Sequence, residues 1–373
     1  MVRRGSGRDR GGIVNLKAAL VAEGYQHLVR PLLFRAHHGD PEAIHEDMIR
    51  ALGVLQAVPG LRDAVGALTR VPTSPVTVAG IRFPGRVGLA AGMDKEGRAA
   101  KAWQYLGFAF AELGTVTAQA QPGNPKPRIF RLRDSRALIN RMGFNNDGAA
   151  ALANRLAVAG IYRGNGAAGI PLGISIGKTK VVPVEEAVPD YLESLRTLAA
   201  HADYVAVNVS SPNTPNLRSL QDGGALAELL GALVAETRAL AGDAAPVPIF
   251  VKVAPDLTEG QLDEVLAAAT GAGCAGLIAT NTTLAREGLA PADRPRAGEA
   301  GGLSGAPLTA RAREVVGYVA RHTDLPVIGV GGIMTATDAV ALLDAGASLV
   351  QLYTGFIYAG PALIGAINAL TRG

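Results

Sequence analysis

Eight short apolar runs, each breaking off into glycine or polar residues, constrain this chain more than any other feature. They are VGLAAG from Val87, FAFAELGTVT from Phe108, PLGISIG from Pro171, YVAVNVSS from Tyr204, IFVKVAP from Ile249, GLIATNTT from Gly276, PVIGVGG from Pro326 and LVQLYTG from Leu349. These runs lack polar alternation, so both faces of each strand must be covered, as in a parallel sheet. Ala/Leu-rich helical stretches separate them, which gives eight strand–helix units. Eight units suit a closed (β/α)8 barrel, the TIM barrel; the competing doubly wound open sheet would gather its polar strand ends near one switch point. Every run here has such an end, so an α/β barrel is expected over 73–373.

Two connections exceed the usual length: Thr117 to Pro171, containing QPGNPKPRIFRLRDSRALINRMGFNND, and Thr283 to about Gly305. Long loops at the carboxyl face of a barrel carry function. The segment before the barrel has another texture. Residues 1–13 read as a flexible basic tail, with a mitochondrial presequence as the alternative. Over 14–72 there is no strand-like run. Val14, Leu16, Leu20, Val21, Tyr25, Leu28, Leu32, Leu33 and Phe34 recur at helical spacing. A second helix is expected from Pro41 to about Leu55, with Asp40 as N-cap and proline at the first helical position. Two interpretations stay open for this pair: a cap packed on the barrel, or an interfacial pair lying on a membrane.

With 48% apolar and 18% charged residues, the chain can build a sizeable core, and global disorder is excluded. The net charge of +4 comes without aromatic-interleaved basic runs or a basic helical stripe, so no nucleic-acid partner is expected. The excess suits an anionic ligand or an anionic membrane surface. Cys274 is the sole cysteine, which rules out an internal disulfide and a cysteine metal cluster. No apolar run is long enough to span a bilayer.

In a parallel barrel the residues just after each strand face one mouth. Collected, they are Asp94, Lys95, Thr115, Ser175, Asn208, Ser210, Ser211, Asn213, Lys252, Thr280, Asn281, Thr282, Gly331, Gly332, Tyr353 and Thr354, joined by Asn140, Asn145 and Asn146 from the first long loop. The set is rich in amides, hydroxyls and lysine and nearly free of histidine and carboxylate. His201 and His322 precede strands and fall at the opposite face. A zinc site, a histidine-based triad and a glycosidase carboxylate pair are therefore poorly supported, and no metal is expected. Amides with lysines suit a planar, polar, anionic ligand. GVGGI and YTGF at the last two strands match the phosphate site common in such barrels. Lys252 lies inside an apolar strand, where a lone charge is costly, and asks for a partner such as a cofactor ring that is negative when reduced.

The order of GLAAGMDK, ELGTVT, QPGNPKPRIFRL, INRMGFNN, VNVSSPNTPNLR, VKVAPDL, ATNTT, GGLSGAPL, VIGVGGI and QLYTGF resembles dihydroorotate dehydrogenases of the membrane-associated, quinone-using class. The resemblance covers nearly everything after the first dozen residues. It implies FMN-dependent oxidation of dihydroorotate to orotate in pyrimidine synthesis, with a membrane quinone as electron acceptor. FMN would lie against Ala90, Ala91, Gly92 and Thr115, with Lys95 and Ser175 nearby. Asn208, Lys252 and Thr280 would meet its ring or ribityl chain. Gly305, Gly331, Gly332, Tyr353 and Thr354 would hold the phosphate. Lys95, Asn140, Asn145, Asn208, Asn213, Asn281 and Thr282 would surround orotate, with Arg141, Met142, Gly143 and Phe144 shaping the same loop.

The resemblance makes Ser211 the general base, Thr214 a candidate for its proton relay, and Pro212 and Pro215 the stiffeners of their loop. Related soluble enzymes use cysteine as base, but Cys274 precedes a strand, at the wrong face. The N-terminal helices would rest on the membrane and form a quinone tunnel, with His45 and Arg131 as the polar candidates near the quinone head. The family often has asparagine where this chain has Ser175, which would then reach the flavin through water. A monomer, peripheral on the cytoplasmic side of a bacterial cell membrane, is expected. Two alternatives remain: a barrel with FMN that uses fumarate or a nicotinamide partner, and a catalytically silent barrel that binds a nucleotide or a protein.

Overall fold

The computed structural model describes residues 21–214, 217–221 and 223–372. The expected tail, the start of the first helix at 14–20, and Pro215 lie outside the described residues. The eight apolar runs form β1 (Val87–Leu89), β2 (Phe110–Val116), β3 (Leu172–Ile176), β4 (Tyr204–Asn208), β5 (Ile249–Val253), β6 (Gly276–Ala279), β7 (Val327–Val330) and β8 (Leu349–Leu352). They pair in parallel in chain order, and β8 returns to β1, so the sheet closes into a barrel. The open-sheet alternative is excluded.

The barrel's lower interior shows why glycine and aromatic residues recur in these strands. Gly88 stands in register with Phe110, Gly173 with Tyr204 and Gly276 with Phe250. A Cβ at Gly88 would lie 2.3 Å from the Phe110 ring, and one at Gly173 would lie 2.1 Å from the Tyr204 ring. Each glycine leaves the volume that its neighbour's ring fills, so the interior is packed and not a pore. An antiparallel hairpin, Val76–Val78 with Ile81–Phe83, joins the same cluster, and Phe83 meets Phe110 edge-on at 5.1 Å between ring centroids.

The two long connections do not stay irregular. Ile129–Leu132 and Ala137–Asn140 from the first pair with Gly302–Gly305 from the second in a three-stranded antiparallel sheet. Leu303, Ile139 and Phe130 give it a small core of its own.

Before the barrel, helical structure runs through Tyr25–Val29 into α1 (Arg30–Arg35), α2 (Pro41–Ala57) and α3 (Pro59–Thr69). The Asp40 carboxylate accepts hydrogen bonds from the Glu42 and Ala43 amides at 2.9 and 3.4 Å, as an N-cap should. Of these, α3 is an addition to the two helices expected. Pro59 cannot continue α2, and Val58 before it is extended, so the chain restarts as a new helix. Among the described residues no helix is long and apolar enough to cross a membrane.

Candidate active site

A cavity of about 1140 Å3, counting its open mouth, lies between the carboxyl ends of the barrel strands and the antiparallel sheet. β1 and the turn after it supply Ala90, Ala91, Gly92 and Lys95; β2 supplies Thr115; β4 and its loop supply Asn208, Ser211 and Asn213; β5 supplies Lys252. Thr280, Asn281 and Thr282 follow β6, Gly331 and Gly332 follow β7, and Tyr353 and Thr354 follow β8. The sheet and its loop close the other wall with Asn140, Met142, Gly143, Phe144 and Gly305. Residues from seven strands thus meet in one space, because period-two alternation and the strand ends both aim them there.

Amides and hydroxyls link this wall into a network. Asn208 Nδ2 donates to Thr115 Oγ1 at 2.9 Å, and Asn281 Nδ2 donates to Ser210 Oγ at 2.9 Å. Asn213 Nδ2 donates to Asn140 Oδ1 at 3.2 Å, which ties the β4 loop to the antiparallel sheet. Asn213 also donates its backbone N–H to Ser211 Oγ at 3.2 Å. Thr214 is buried, and its Oγ1 has no hydrogen-bond partner among the described residues. Lys95 Nζ donates to Asn145 Oδ1, which places Asn145 behind the lysine and off the cavity wall. Burial, with the Arg128 guanidinium next, pushes Lys95 down to about 8.

Several residues act from farther back. Ser175 is fully buried and hydrogen-bonds Thr115 Oγ1 at 2.8 Å; it does not face the cavity and reaches it only through Thr115. Arg141 turns its guanidinium away, pairing with Glu299 at 2.7 Å and stacking over Phe130, while its carbonyl accepts from Asn124. Asp94 also leaves the mouth: its carboxylate accepts from the Arg98 and Ala99 amides and from Trp103 Nε1.

His201 and Cys274 lie where the strand order put them, at the opposite end. His201 Nδ1 meets the Ile161 carbonyl at 2.7 Å, and burial raises the Cys274 thiol to about 12. Neither is poised to act as a base. Sequence reasoning missed Glu112, a fully buried carboxylate on β2 that lies 3.7 Å from Lys252 Nζ. Its signal was a single charge inside the run FAFAELGTVT.

The two quinone candidates sit at the extension. His45, on α2, is pushed down to about 4, first by burial and then by Lys95, so it is neutral near pH 7. Arg131 stacks over Phe34 of α1 with its carbon 3.9 Å from the ring centroid, and its Nε is buried without a partner. Tyr358 packs edge-on against Phe34, and Tyr25 donates to the Ile357 carbonyl.

The extension is locked to this wall by a buried ion pair. Glu42 on α2 meets Arg128 at 2.7 Å, and Arg128 donates onward to the Pro122 and Asn124 carbonyls. Burial pushes the Glu42 carboxyl up, but hydrogen bonds from Arg128 and Lys126 outweigh it and hold the group below its usual value.

A family model described as dihydroorotate dehydrogenase matches residues 74–370, which is the whole barrel. The chain belongs to the dihydroorotate dehydrogenase family. A "Dihydroorotate dehydrogenase (quinone)" of Salinispora arenicola is 56% identical over 93% of this chain and 99% of its own length. A protein of the same name from Chloroflexus aurantiacus is 51% identical over 92% of this chain and 95% of its own. The crystal structure of DHODH from Eimeria tenella in complex with ferulenol superposes with a TM-score of 0.79 at 34% identity, covering 91% of this chain and 93% of that one. These overlaps reach past the barrel into the N-terminal helices of this dihydroorotate dehydrogenase family member.

Proposed function

We propose that this protein oxidises (S)-dihydroorotate to orotate in pyrimidine synthesis, with FMN as prosthetic group and a membrane quinone as electron acceptor. The observation that carries this is the meeting of Lys95, Ser211, Asn281 and Lys252 with the Gly331–Gly332 turn in a single cavity. The cavity suits FMN. Gly332 has a φ of +69°, and a Cβ there would lie 2.2 Å from Thr309, so its backbone stays bare for an anion to approach. Thr354 and Gly305 stand beside that turn, and Lys252 supplies a cation at the cavity wall. When bound, FMN supplies the acceptor for the hydride that leaves C6 of the substrate.

The chain's own residues supply the rest. Ser211 Oγ takes the proton from C5 of dihydroorotate. The amide N–H of Asn213 orients that oxygen and favours its unprotonated form. The unpartnered Thr214 Oγ1 is free to pass the proton outward through water. Lys95 binds the substrate carboxylate, and Asn140, Asn208, Asn213, Asn281 and Thr282 read the ring amides. Burial of Ser211 keeps bulk water from competing for the proton.

For the acceptor, Arg131 Nε is a buried donor without a partner beside the aromatic rings of Phe34 and Tyr358, as a quinone carbonyl requires. Neutral His45 offers a second polar group on α2. Leu28 and Leu32 are 66% and 71% exposed on the same extension, which supports peripheral seating on a membrane surface. The test is anaerobic: dihydroorotate should bleach the bound flavin, and quinone should restore it. Reoxidation by fumarate or NAD but not by quinone would overturn the acceptor, and purified protein without a flavin spectrum would overturn the cofactor.

A further inference from the structure

The barrel interior below the cavity holds a charged cluster, where apolar packing would be the ordinary solution. Glu112 on β2 has no exposed surface, and Lys252 on β5 is nearly as buried. Burying one charge is costly and a matched pair less so, because removing either partner strands the other in a low-dielectric interior. The carboxylate is held from two further strands. Tyr204 OH donates to Glu112 Oε2 at 3.1 Å and Gln351 Nε2 donates to the same oxygen at 2.8 Å. Both donors meet the carboxylate at Oε2, and Gln351 Nε2 also donates to the Tyr204 hydroxyl at 3.3 Å. Oε1 has no hydrogen bond and faces Lys252 Nζ at 3.7 Å. Three strands therefore turn one carboxylate oxygen toward Lys252, one of the two lysines that line the cavity.

The strands flanking β5 set Asn208 and Ile278 in register with Lys252, and neither ionises. Glu112 and Tyr204 are the titratable groups facing it, with Lys95 farther off on the same cavity wall. Burial, reinforced by Glu112, keeps the Tyr204 phenol well above its ordinary value, so Tyr204 remains a neutral donor.

Resting on the flavin assignment above, we infer that Glu112 is a positioning residue: its carboxylate is the counter-charge that holds the Lys252 amine aimed at the cavity, and so fixes how strongly the site attracts electrons. Glu112 never touches the ligand and acts only through the lysine. In Glu112→Gln the shape survives while the counter-charge is gone. Burial without a counter-charge disfavours the charged form of a lysine.

The experiment follows the midpoint potential of the bound flavin across pH in the holoenzyme. Wild-type protein, with the Glu112 carboxylate facing Lys252 at 3.7 Å, should give a smooth profile. Glu112→Gln should show a break that the wild type lacks, with the flavin harder to reduce on its alkaline side. In a Lys252→Gln background, Glu112→Gln should add nothing, since the two act as one unit. Infrared spectra give a second readout: Lys252→Gln should display a protonated carboxyl band that is missing from the double variant. A flavin-loaded Glu112→Gln protein with the wild-type profile overturns this inference, as does a break that persists without Lys252. If Glu112→Gln fails to hold flavin, absence of the infrared band in Lys252→Gln overturns it. Wild-type protein without flavin overturns instead the cofactor assignment on which it rests.

Discussion

Ser211 is a weak base in water, and its neighbours show what the fold must add. Its oxygen is buried, receives one backbone N–H, and stands among amides that can spread substrate charge. Ser211→Ala should leave the flavin bound, because the proposed assignment puts the serine on the substrate wall. The single-turnover rate of flavin reduction by dihydroorotate should fall about 10²–10⁴-fold, the usual worth of a general base. Stopped-flow absorbance measures this directly, and near-normal reduction would assign the proton to another group. Lys95 sets a pH limit. Its value is lowered to about 8, so the free protein loses the ammonium as pH rises through that point. Since the substrate is an anion, kcat/KM should fall above a pH of about 8, and Lys95→Gln should remove that limb along with most of the affinity. At this scale the sequence was legible wherever a residue follows a strand, because alternation fixes its direction. It misled at Asp94, which follows a strand yet caps the next turn, and was silent on Glu112, which lies inside one.

At the level of elements, α2 and the β4 loop communicate through a short chain of polar contacts. Glu42 holds Arg128, Arg128 donates to the Asn124 carbonyl, and Asn124 Nδ2 donates to the Asn213 carbonyl at 3.1 Å. The N-terminal extension is thereby coupled to the loop that carries Ser211. Glu42→Gln should strand a buried guanidinium at a cost of about 3–5 kcal/mol. The expected result is a lower melting temperature and a several-fold higher KM for dihydroorotate, with flavin binding retained. Unchanged KM with lowered stability would confine the pair to a structural role. The barrel strands were legible because each needs only local apolar character and a polar end. The antiparallel sheet was not, since Ala137–Asn140 pairs with Gly302–Gly305 across a long stretch of chain and each strand has only four residues. The break between α2 and α3 was marked by Pro59, but α3's partner, the segment Trp103–Leu106, could not be read from it.

Across the whole molecule, the barrel's polar strand ends and the extension's exposed apolar side chains make two distinct surfaces. The closed barrel buries its strands and keeps its polar residues around one cavity. The extension exposes a group of large apolar side chains within a short stretch: Leu28, Leu32, Val54, Leu61 and Leu68 all face solvent. A water-exposed apolar face of this kind is stabilised when lipid covers it, at about 25 cal/mol per Å2 removed from water. Leu28 and Leu32 are mostly exposed, so changing them should spare the fold. Leu28→Gln with Leu32→Gln should weaken partition onto anionic vesicles about tenfold or more, consistent with roughly 1–2 kcal/mol lost per leucine. Turnover with a short, water-soluble quinone should stay near wild type, because that acceptor does not need the membrane, whereas turnover with a long-tailed quinone in vesicles should fall in step with binding. Equal loss with both quinones would mean that the two leucines shape the acceptor site itself. No loss with either would place the membrane contact elsewhere on the chain.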